Sequence, residues 1–108
     1  MRKAFDEQLY DKVPINSLIL FGIHLAINKG GECSFGELTK VCFGSFPKIF
    51  GLSDCQKWPD TRKLDRPLRT LRDRKLIAGN PQTSFSLTKQ GKKIALEVTK
   101  LFAQKRLL

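Results

Sequence analysis

The sequence LDRPLRTLRDRKLI, residues 64–77, decides the expected fold because its leucines and arginines both repeat at helical spacing. The arginine stripe is offset by two residues from the leucine stripe, and two residues correspond to about 200° around an α-helix. We therefore predict a helix with one face for the core and a basic face opposite. The apolar stripe is Leu64, Leu68 and Leu71, continued by Lys75, and the basic stripe is Arg62, Arg66 and Arg69, continued by Asp73.

Pro67 lies in the middle of this pattern. A proline inside a helix removes a hydrogen bond and costs roughly 3 kcal/mol. In one interpretation the helix begins at Pro67, which leaves nine residues up to Lys75 and removes Leu64 from the stripe. In the other, the helix begins near Asp60 and bends at Pro67, supported by neighbouring helices. The second keeps the leucine period, so we favour a bent helix over about 60–75.

The residues before this helix predict two longer helices and a short one. Pro14 can open a helix that is apolar nearly all round and ends at the Gly-Gly pair at 30–31, which indicates a central, buried helix. Ser34 and Glu37 have the spacing of a capping box, so a second helix should begin at Ser34. A short helix is expected around 47–50, packed on the core.

The residues after the basic helix predict a β-hairpin and a last helix. Residues 76–78 pair with the alternating run at 84–87, and the Gly-Asn-Pro stretch between them is typical of a turn. Thr88 can cap a helix over 88–106. The expected class is mainly α with a small β-hairpin (α+β), in the order helix, helix, helix, hairpin, helix. The apolar face of the last helix should contain Ile94, Val98, Leu101 and Phe102.

Length and composition predict one domain over residues 1–108, with 1–13 as an N-terminal extension. The chain has 20 Lys and Arg against 10 Asp and Glu, a formal charge of +10. Such an excess is typical of proteins that bind nucleic acid or an anionic membrane surface, and the alternative is a solvated basic surface. The longest apolar run, residues 15–27, is too short and interrupted to span a bilayer, so we expect no membrane partner.

The stretch DRPLRTLRDRKLI, followed by the hairpin and SLTKQGKKIA, resembles the winged helix-turn-helix superfamily of DNA-binding domains. In that superfamily a recognition helix often reads R-x-L-x-x-L, a wing follows, and its second strand runs into Leu-Thr-x-x-Gly. The resemblance covers about 14–102 and implies a winged-helix fold that binds double-stranded DNA. The positions that carry it are Leu68, Leu71, Leu76, Ile77, Leu87, Thr88 and Gly91.

The chain departs from the superfamily pattern at three places. Lys75 stands where a helix-ending glycine is usual, and Pro67 replaces a helix former. The link between the second and third helices is longer than the tight turn of a simple helix-turn-helix. The resemblance therefore does not fix the angle between these two helices.

If the third helix enters the major groove, its arginines can reach guanine edges bidentately or bind phosphate. The alternative is a solvated basic face that Asp65 and Asp73 partly neutralise. The excess of basic residues over the whole chain favours nucleic acid. The candidate DNA-binding residues on this helix are Arg62, Lys63, Arg66, Arg69, Thr70 and Arg72.

The wing tip carries no Lys or Arg, so we expect only weak contacts there, from Gln82 and Thr83. Phosphate contacts are more readily expected from three lysines at the start of the last helix. These are Lys89, Lys92 and Lys93.

The sequence therefore predicts a sequence-specific DNA-binding protein, a small transcriptional regulator that acts as a homodimer. We expect it in the cytoplasm, associated with the nucleoid. The rivals are a winged-helix module that binds an acidic protein, and a DNA-binding module of a larger nucleic-acid enzyme system. The apolar candidates for the pairing surface are Phe5, Leu9, Leu101, Phe102, Leu107 and Leu108.

The polar and sulfur residues do not form a recognisable catalytic or metal-binding pattern. The three cysteines, Cys33, Cys42 and Cys55, include no Cys-x-x-Cys pair and indicate a reducing compartment, with a redox switch as a minor alternative. His24 and Cys33 lack a second ligand pair at zinc spacing, so we expect no metal and no cofactor. No catalytic triad, carboxylate pair or P-loop is present, so we expect no enzyme. Trp58 is expected to fill the core rather than to stack on a base.

Overall fold

The computed structural model describes residues 10, 12–30, 32–51, 62–79, 82 and 84–107. Within them the chain is mainly helical with a small antiparallel sheet, which confirms the α+β prediction and the predicted order of elements. Sequence predictions for Asp60, Cys55, Trp58 and Thr83 lie outside the described residues. The elements are α1 (Ile15–Gly30), α2 (Phe35–Ser45), α3 (Pro47–Phe50), α4 (Arg62–Asp73), β1 (Ile77–Gly79), β2 (Phe85–Leu87) and α5 (Lys89–Leu107).

Helix α1 is the centre of the fold, as its nearly continuous apolar sequence predicts. Leu18, Ile19 and Ile23 are fully buried in it. Helices α2, α4 and α5 and strand β2 all pack against α1. The positions of these four elements are therefore set by contact with α1, whereas α3 packs on α2 and β1 pairs with β2.

The start of α2 and the hairpin are both fixed at the connection that follows α1. The Ser34 hydroxyl accepts the backbone N–H of Glu37 at 3.1 Å, which confirms the predicted helix cap. One residue earlier, the carbonyl of Cys33 accepts the N–H of Phe85 at 2.7 Å, in an isolated bridge. This bond ties β2 to the connection between α1 and α2. The short helix α3 also forms where the sequence predicts it.

Aromatic rings fill the space between α1, α5 and the segment after α2. The Phe21 and Phe102 rings meet edge to face with centroids 5.1 Å apart, and the Tyr10 and Phe46 centroids are 4.8 Å apart. Phe102 is only 3% exposed. Its assignment to a pairing surface is therefore wrong, because its ring already packs within its own chain.

The core face of α5 is rotated slightly from the predicted one. Val98 and Phe102 are buried as expected, but Ala95 is also fully buried. Leu101 is 37% exposed, so its inclusion in the inward face is wrong. The buried face of α5 therefore includes Ala95 and excludes Leu101.

Helix α4 runs continuously through Pro67, so the interpretation in which it begins at that residue is wrong. Leu64, Leu68 and Leu71 are all buried, as the leucine stripe predicts. Burial of one leucine stabilises the fold by about 1.5–3 kcal/mol, so three exceed the roughly 3 kcal/mol cost of the proline. The predicted start near Asp60 lies outside the described residues, and the bend stays a prediction.

The end of α4 has a glycine-like backbone at a lysine. Lys75 has φ +60°, in the left-handed region, and its N–H donates to the Arg72 carbonyl at 3.0 Å. The N–H of Leu76 donates to the Leu71 carbonyl at 2.9 Å, which completes a Schellman motif. A side chain in this conformation costs about 1–2 kcal/mol. Lys75 therefore adopts the backbone conformation in which a glycine commonly ends a helix.

The hairpin forms as predicted, with Ile77 opposite Leu87 and Gly79 opposite Phe85. The first strand is shifted by one residue from the predicted 76–78, because Gly79, which was expected in the turn, belongs to β1 and Leu76 does not. Gly79 has φ +100°, and a Cβ there would lie 1.9 Å from the Ser84 carbonyl oxygen. Glycine is therefore required at this position of β1, because the backbone of the opposite side of the hairpin lies too close for a side chain.

Thr88 and Gly91 join the start of α5 to the end of α4. The Thr88 hydroxyl accepts the Gly91 N–H at 3.2 Å, which confirms its predicted capping role. The hydroxyl also donates to the Lys75 carbonyl at 2.8 Å, with the Leu76 carbonyl 3.0 Å away. A Cβ at Gly91 would lie 2.0 Å from the Leu76 carbonyl oxygen. In the Leu-Thr-x-x-Gly motif of this chain, the threonine therefore caps α5 and the glycine allows α5 to pack closely against Leu76.

Gly91→Ala tests this contact. We expect the substitution to lower the free energy of unfolding by about 1–3 kcal/mol, because backbone must move to admit the methyl group. Gly36→Ala is the matched control, since a Cβ at Gly36 meets nothing within 4 Å. Urea denaturation followed by circular dichroism measures both variants. Equal stability of the two variants would contradict the close approach of α5 to Leu76.

Candidate nucleic-acid interface

The outer face of α4 carries four exposed arginines. Three of them lie opposite Leu64, Leu68 and Leu71, which hold the other face against the core, and the fourth lies about 100° around the helix from Leu71. The geometry predicted for the basic helix is therefore present in the described part of α4. The four arginines are Arg62, Arg66, Arg69 and Arg72.

Asp65 neutralises part of this face, as the sequence predicts. Its Oδ2 lies 3.5 Å from Nη2 of Arg69, and the two side chains are 64% and 74% exposed. An exposed pair of this kind contributes about 0–1 kcal/mol. Arg69 can therefore exchange the aspartate for a phosphate or a base edge at small cost.

Two candidates on α4 are placed differently from the four arginines. Lys63 is half-buried, and its Nζ donates to the Gly51 carbonyl at 2.8 Å. This bond anchors α4 to the residue that follows α3, so the Lys63 ammonium is directed toward its own chain. Thr70 is half-buried at the edge of the arginine face.

The candidates after α4 lie on the hairpin and on α5. Gln82 is exposed near the tip of the hairpin. The three lysines in the first turns of α5 are exposed as well, and they precede the part of α5 that packs on α1. These are Lys89, Lys92 and Lys93.

Arg74 and Lys75 are two exposed basic residues that the sequence interpretation did not include in the site. They follow the last turn of α4, and the hydrogen bond from Thr88 to the Lys75 carbonyl places them beside the start of α5. The arginine face and the α5 lysines are thus joined by further positive charge. The sequence signal was the run RDRK at 72–75, in which three of four residues are basic.

The helix dipoles act differently on the two groups of cations. The end of α4 carries partial negative charge, which favours Arg72 and the residues after it. The first turn of α5 contains no acidic residue and begins with Lys89. Positive charge at a helix N-terminus is unfavourable by a few tenths to 1 kcal/mol. The lysines in the first turns of α5 therefore do not stabilise this helix through its dipole.

The sulfur residues of the described chain are buried. Burial, and secondarily the charge of Glu37, raises the pKa of Cys33 from 9.0 to about 12. Burial also raises the pKa of Cys42, and Cys33 adds to the shift. The neutral Cys33 thiol contributes stability that is full below about pH 9 and is lost as the pH rises toward 12. These environments oppose a redox switch at either thiol.

The described residues include no cluster of three or more histidine, cysteine or carboxylate side chains that could hold a metal ion. The Nε2 atom of His24 instead lies 3.2 Å from Nδ2 of Asn28, four residues along α1. Among the described helices, none is long and apolar enough to cross a membrane.

Thiol titration tests the burial of Cys33 and Cys42. Because burial raises the pKa of Cys33 to about 12, its side chain is almost entirely a neutral thiol at pH 8, and neutral thiols react slowly. In a Cys55→Ser variant, Ellman's reagent at pH 8 should release almost no thionitrobenzoate from the folded protein. The same sample in guanidinium chloride should release two equivalents. Fast reaction of one equivalent before unfolding would contradict the buried position of Cys33.

Comparisons with models of protein families, with curated proteins and with solved structures find no match to this chain. The function is therefore inferred from the geometry and the charges of its described residues.

Proposed function

We propose that the chain is a winged-helix DNA-binding domain and that α4 is its recognition helix, inserted in the major groove of double-stranded DNA. In this role it is a small, sequence-specific transcriptional regulator that acts on DNA in the cytoplasm. The observation that carries the proposal is that α4 buries three leucines on one face and exposes four arginines, three of them on the opposite face.

The spacing of the arginines suits the major groove. Arg62 and Arg69 are seven residues apart, about 10 Å along the helix axis, which matches roughly three base-pair steps. Arg66 lies between them on the same face. Arginine is the side chain that reads guanine bidentately, through O6 and N7. The face can therefore read a short run of bases while its outer members bind phosphate.

The elements after α4 support the winged-helix part of the proposal. A two-stranded hairpin begins four residues after the end of α4, and only Thr88 separates β2 from α5. The contacts of Thr88 and Gly91 hold α5 against the end of α4, so the hairpin projects from a fixed base. The wing tip carries no basic side chain, which leaves the main contribution to α4 and the first turns of α5.

A pair of double variants tests DNA binding by α4. We expect Arg66→Ala/Arg69→Ala to weaken binding to a duplex selected from a random pool by about 30-fold or more, because each guanine-reading arginine is worth about 1–3 kcal/mol. Lys29→Ala/Lys40→Ala removes the same charge from exposed positions on α1 and α2 and should weaken binding by less than about threefold. Fluorescence anisotropy at 50 and 200 mM NaCl measures both.

Three results would contradict the proposal. Equal losses in the two double variants would mean that total charge, not the α4 face, determines affinity. A wild-type chain that enriches no sequence from the pool would not be a sequence-specific regulator. Absence of any duplex binding would leave an acidic protein as the partner of the basic face.

We also propose a homodimer, which would place two copies of α4 on half-sites one helical turn apart. A groove of about 240 Å³ lies between Val13, Pro14 and α5, and Leu101 lines it. Lys12 and Glu97 line the same groove with opposite charges. In a two-fold interface, the lysine of one protomer can face the glutamate of the other. Of the other apolar residues expected there, Phe5, Leu9, Leu107 and Leu108 have side chains outside the described part of the chain.

Leu101→Asp tests the pairing surface, because a charge in an apolar interface leaves a desolvated carboxylate. We expect sedimentation velocity to show a dimer for the wild type and a monomer for the variant at the same concentration. Leu96→Asp is the matched control, since Leu96 is 41% exposed and lies about 140° around α5 from Leu101. A wild-type monomer at tens of micromolar would exclude the homodimer.

A further inference from the structure

Lys75 has a backbone conformation that glycine adopts more easily. It is the non-glycine residue with positive φ among the described residues, at +60°. Its N–H bond to the Arg72 carbonyl is a backbone interaction, which a glycine would make equally well. The Lys75 side chain is exposed, so it contributes no core packing. The fold therefore gives no reason for a lysine at this position.

The position of Lys75 is fixed by a contact with α5. The Thr88 hydroxyl donates to its carbonyl at 2.8 Å, and the Thr88 N–H donates to the Leu76 carbonyl at 3.1 Å. Lys75 therefore sits between the last turn of α4 and the first turn of α5. Exposed basic residues lie within four positions of this junction along the chain, both before Lys75 and after Thr88. They are Arg72 and Arg74 before it, and Lys89 and Lys92 after it.

Two features of the junction between α4 and α5 lower the stability of the fold, and both add positive charge. One is the lysine in the left-handed conformation, and the other is the lysine-rich, acid-free first turn of α5. Backbone strain that persists at an exposed position is typical of a residue held for function. A phosphate group would interact favourably with every cation at the junction.

We propose that Lys75 binds a DNA phosphate at the edge of the groove that α4 enters, with Lys89 and Lys92 beside it. The inference rests on the proposed DNA-binding function and adds a phosphate site to it. The 12 residues of α4 span about 18 Å, whereas the major groove is about 12 Å wide. A helix with its arginine face in the groove therefore brings one of its ends to the phosphate backbone, and Lys75 is at such an end.

Two substitutions separate the charge of Lys75 from its backbone strain. Lys75→Gln removes the charge and keeps a Cβ in the left-handed conformation, so its Tm should stay within about 1 °C of the wild type. Lys75→Gly removes both, so its Tm should rise by roughly 3 °C. Both variants should bind the selected duplex about three- to tenfold more weakly. The slope of log K against log salt should fall by about 0.9 in magnitude, the value for one phosphate contact.

Lys100→Gln is the matched control, because Lys100 is exposed on α5 but lies 11 residues, or about 16 Å, beyond Lys89. Its affinity and salt slope should equal those of the wild type. Lys75→Arg should retain both. Thermal denaturation and fluorescence anisotropy on the same preparations supply all the measurements.

The outcomes distinguish the phosphate site from the proposed function. If Lys75→Gln binds like the wild type while Arg66→Ala/Arg69→Ala loses affinity, the Lys75 site is overturned and DNA binding by α4 stands. If only Lys75→Gly binds weakly, backbone geometry rather than charge is responsible, which also overturns the site. If the wild type binds no duplex at all, both proposals fail together.

Discussion

The burial of Leu64, Leu68 and Leu71 against α1 is the contact on which the candidate site depends. It fixes the rotation of α4 about its own axis, and an α-helix with one face fixed presents the opposite face to solvent without further contacts. The arginines are therefore positioned by the burial of leucines of the same helix. The free energy gained by burying the three leucines also exceeds the cost of Pro67 inside the helix. This explains how α4 can keep its basic face in place although it contains a proline.

The junction of α4 with α5 is the second constraint, and it is made mostly of backbone. The carbonyls of Lys75 and Leu76 accept bonds from Thr88, and the Leu76 carbonyl approaches the Cα of Gly91 closely. Such contacts leave no room for a Cβ at Gly91, but they place no demand on the side chain of Lys75. Steric exclusion therefore requires glycine at position 91, whereas we attribute the lysine at position 75 to its charge.

The sequence predicted those features that depend on residues close together in the chain. The leucine period, the Ser34 cap and the alternation at 84–87 are local patterns, and the structure confirms the elements that they predict. Features that depend on distant residues were not accessible. The bond from Lys63 to Gly51 joins elements 12 residues apart.

The left-handed conformation of Lys75 was not predicted, because lysine rarely adopts it. The one sequence sign of it was that a helix-ending glycine is usual at this position in the pattern that the chain resembles. The burial of Ala95 and the exposure of Leu101 depend on the rotation of α5 against the core, which periodicity alone does not give. Recognition of the site was thus limited by packing and by one unusual backbone angle, while the basic face itself followed from local spacing.

The excess of positive charge gives a last reason to regard α4 and the start of α5 as one binding surface. Like charges held on two helices that meet at a common junction repel one another, and this repulsion opposes the folded state. A bound polyanion would remove the repulsion and stabilise the fold by mass action, in proportion to the logarithm of its concentration over its dissociation constant. A chain with a net charge of +10 that keeps Lys75 in a strained conformation gives up stability when free. The proposed complex would restore that stability if the ligand spans both helices, and a phosphate backbone beside a groove-bound helix would have the required length and charge.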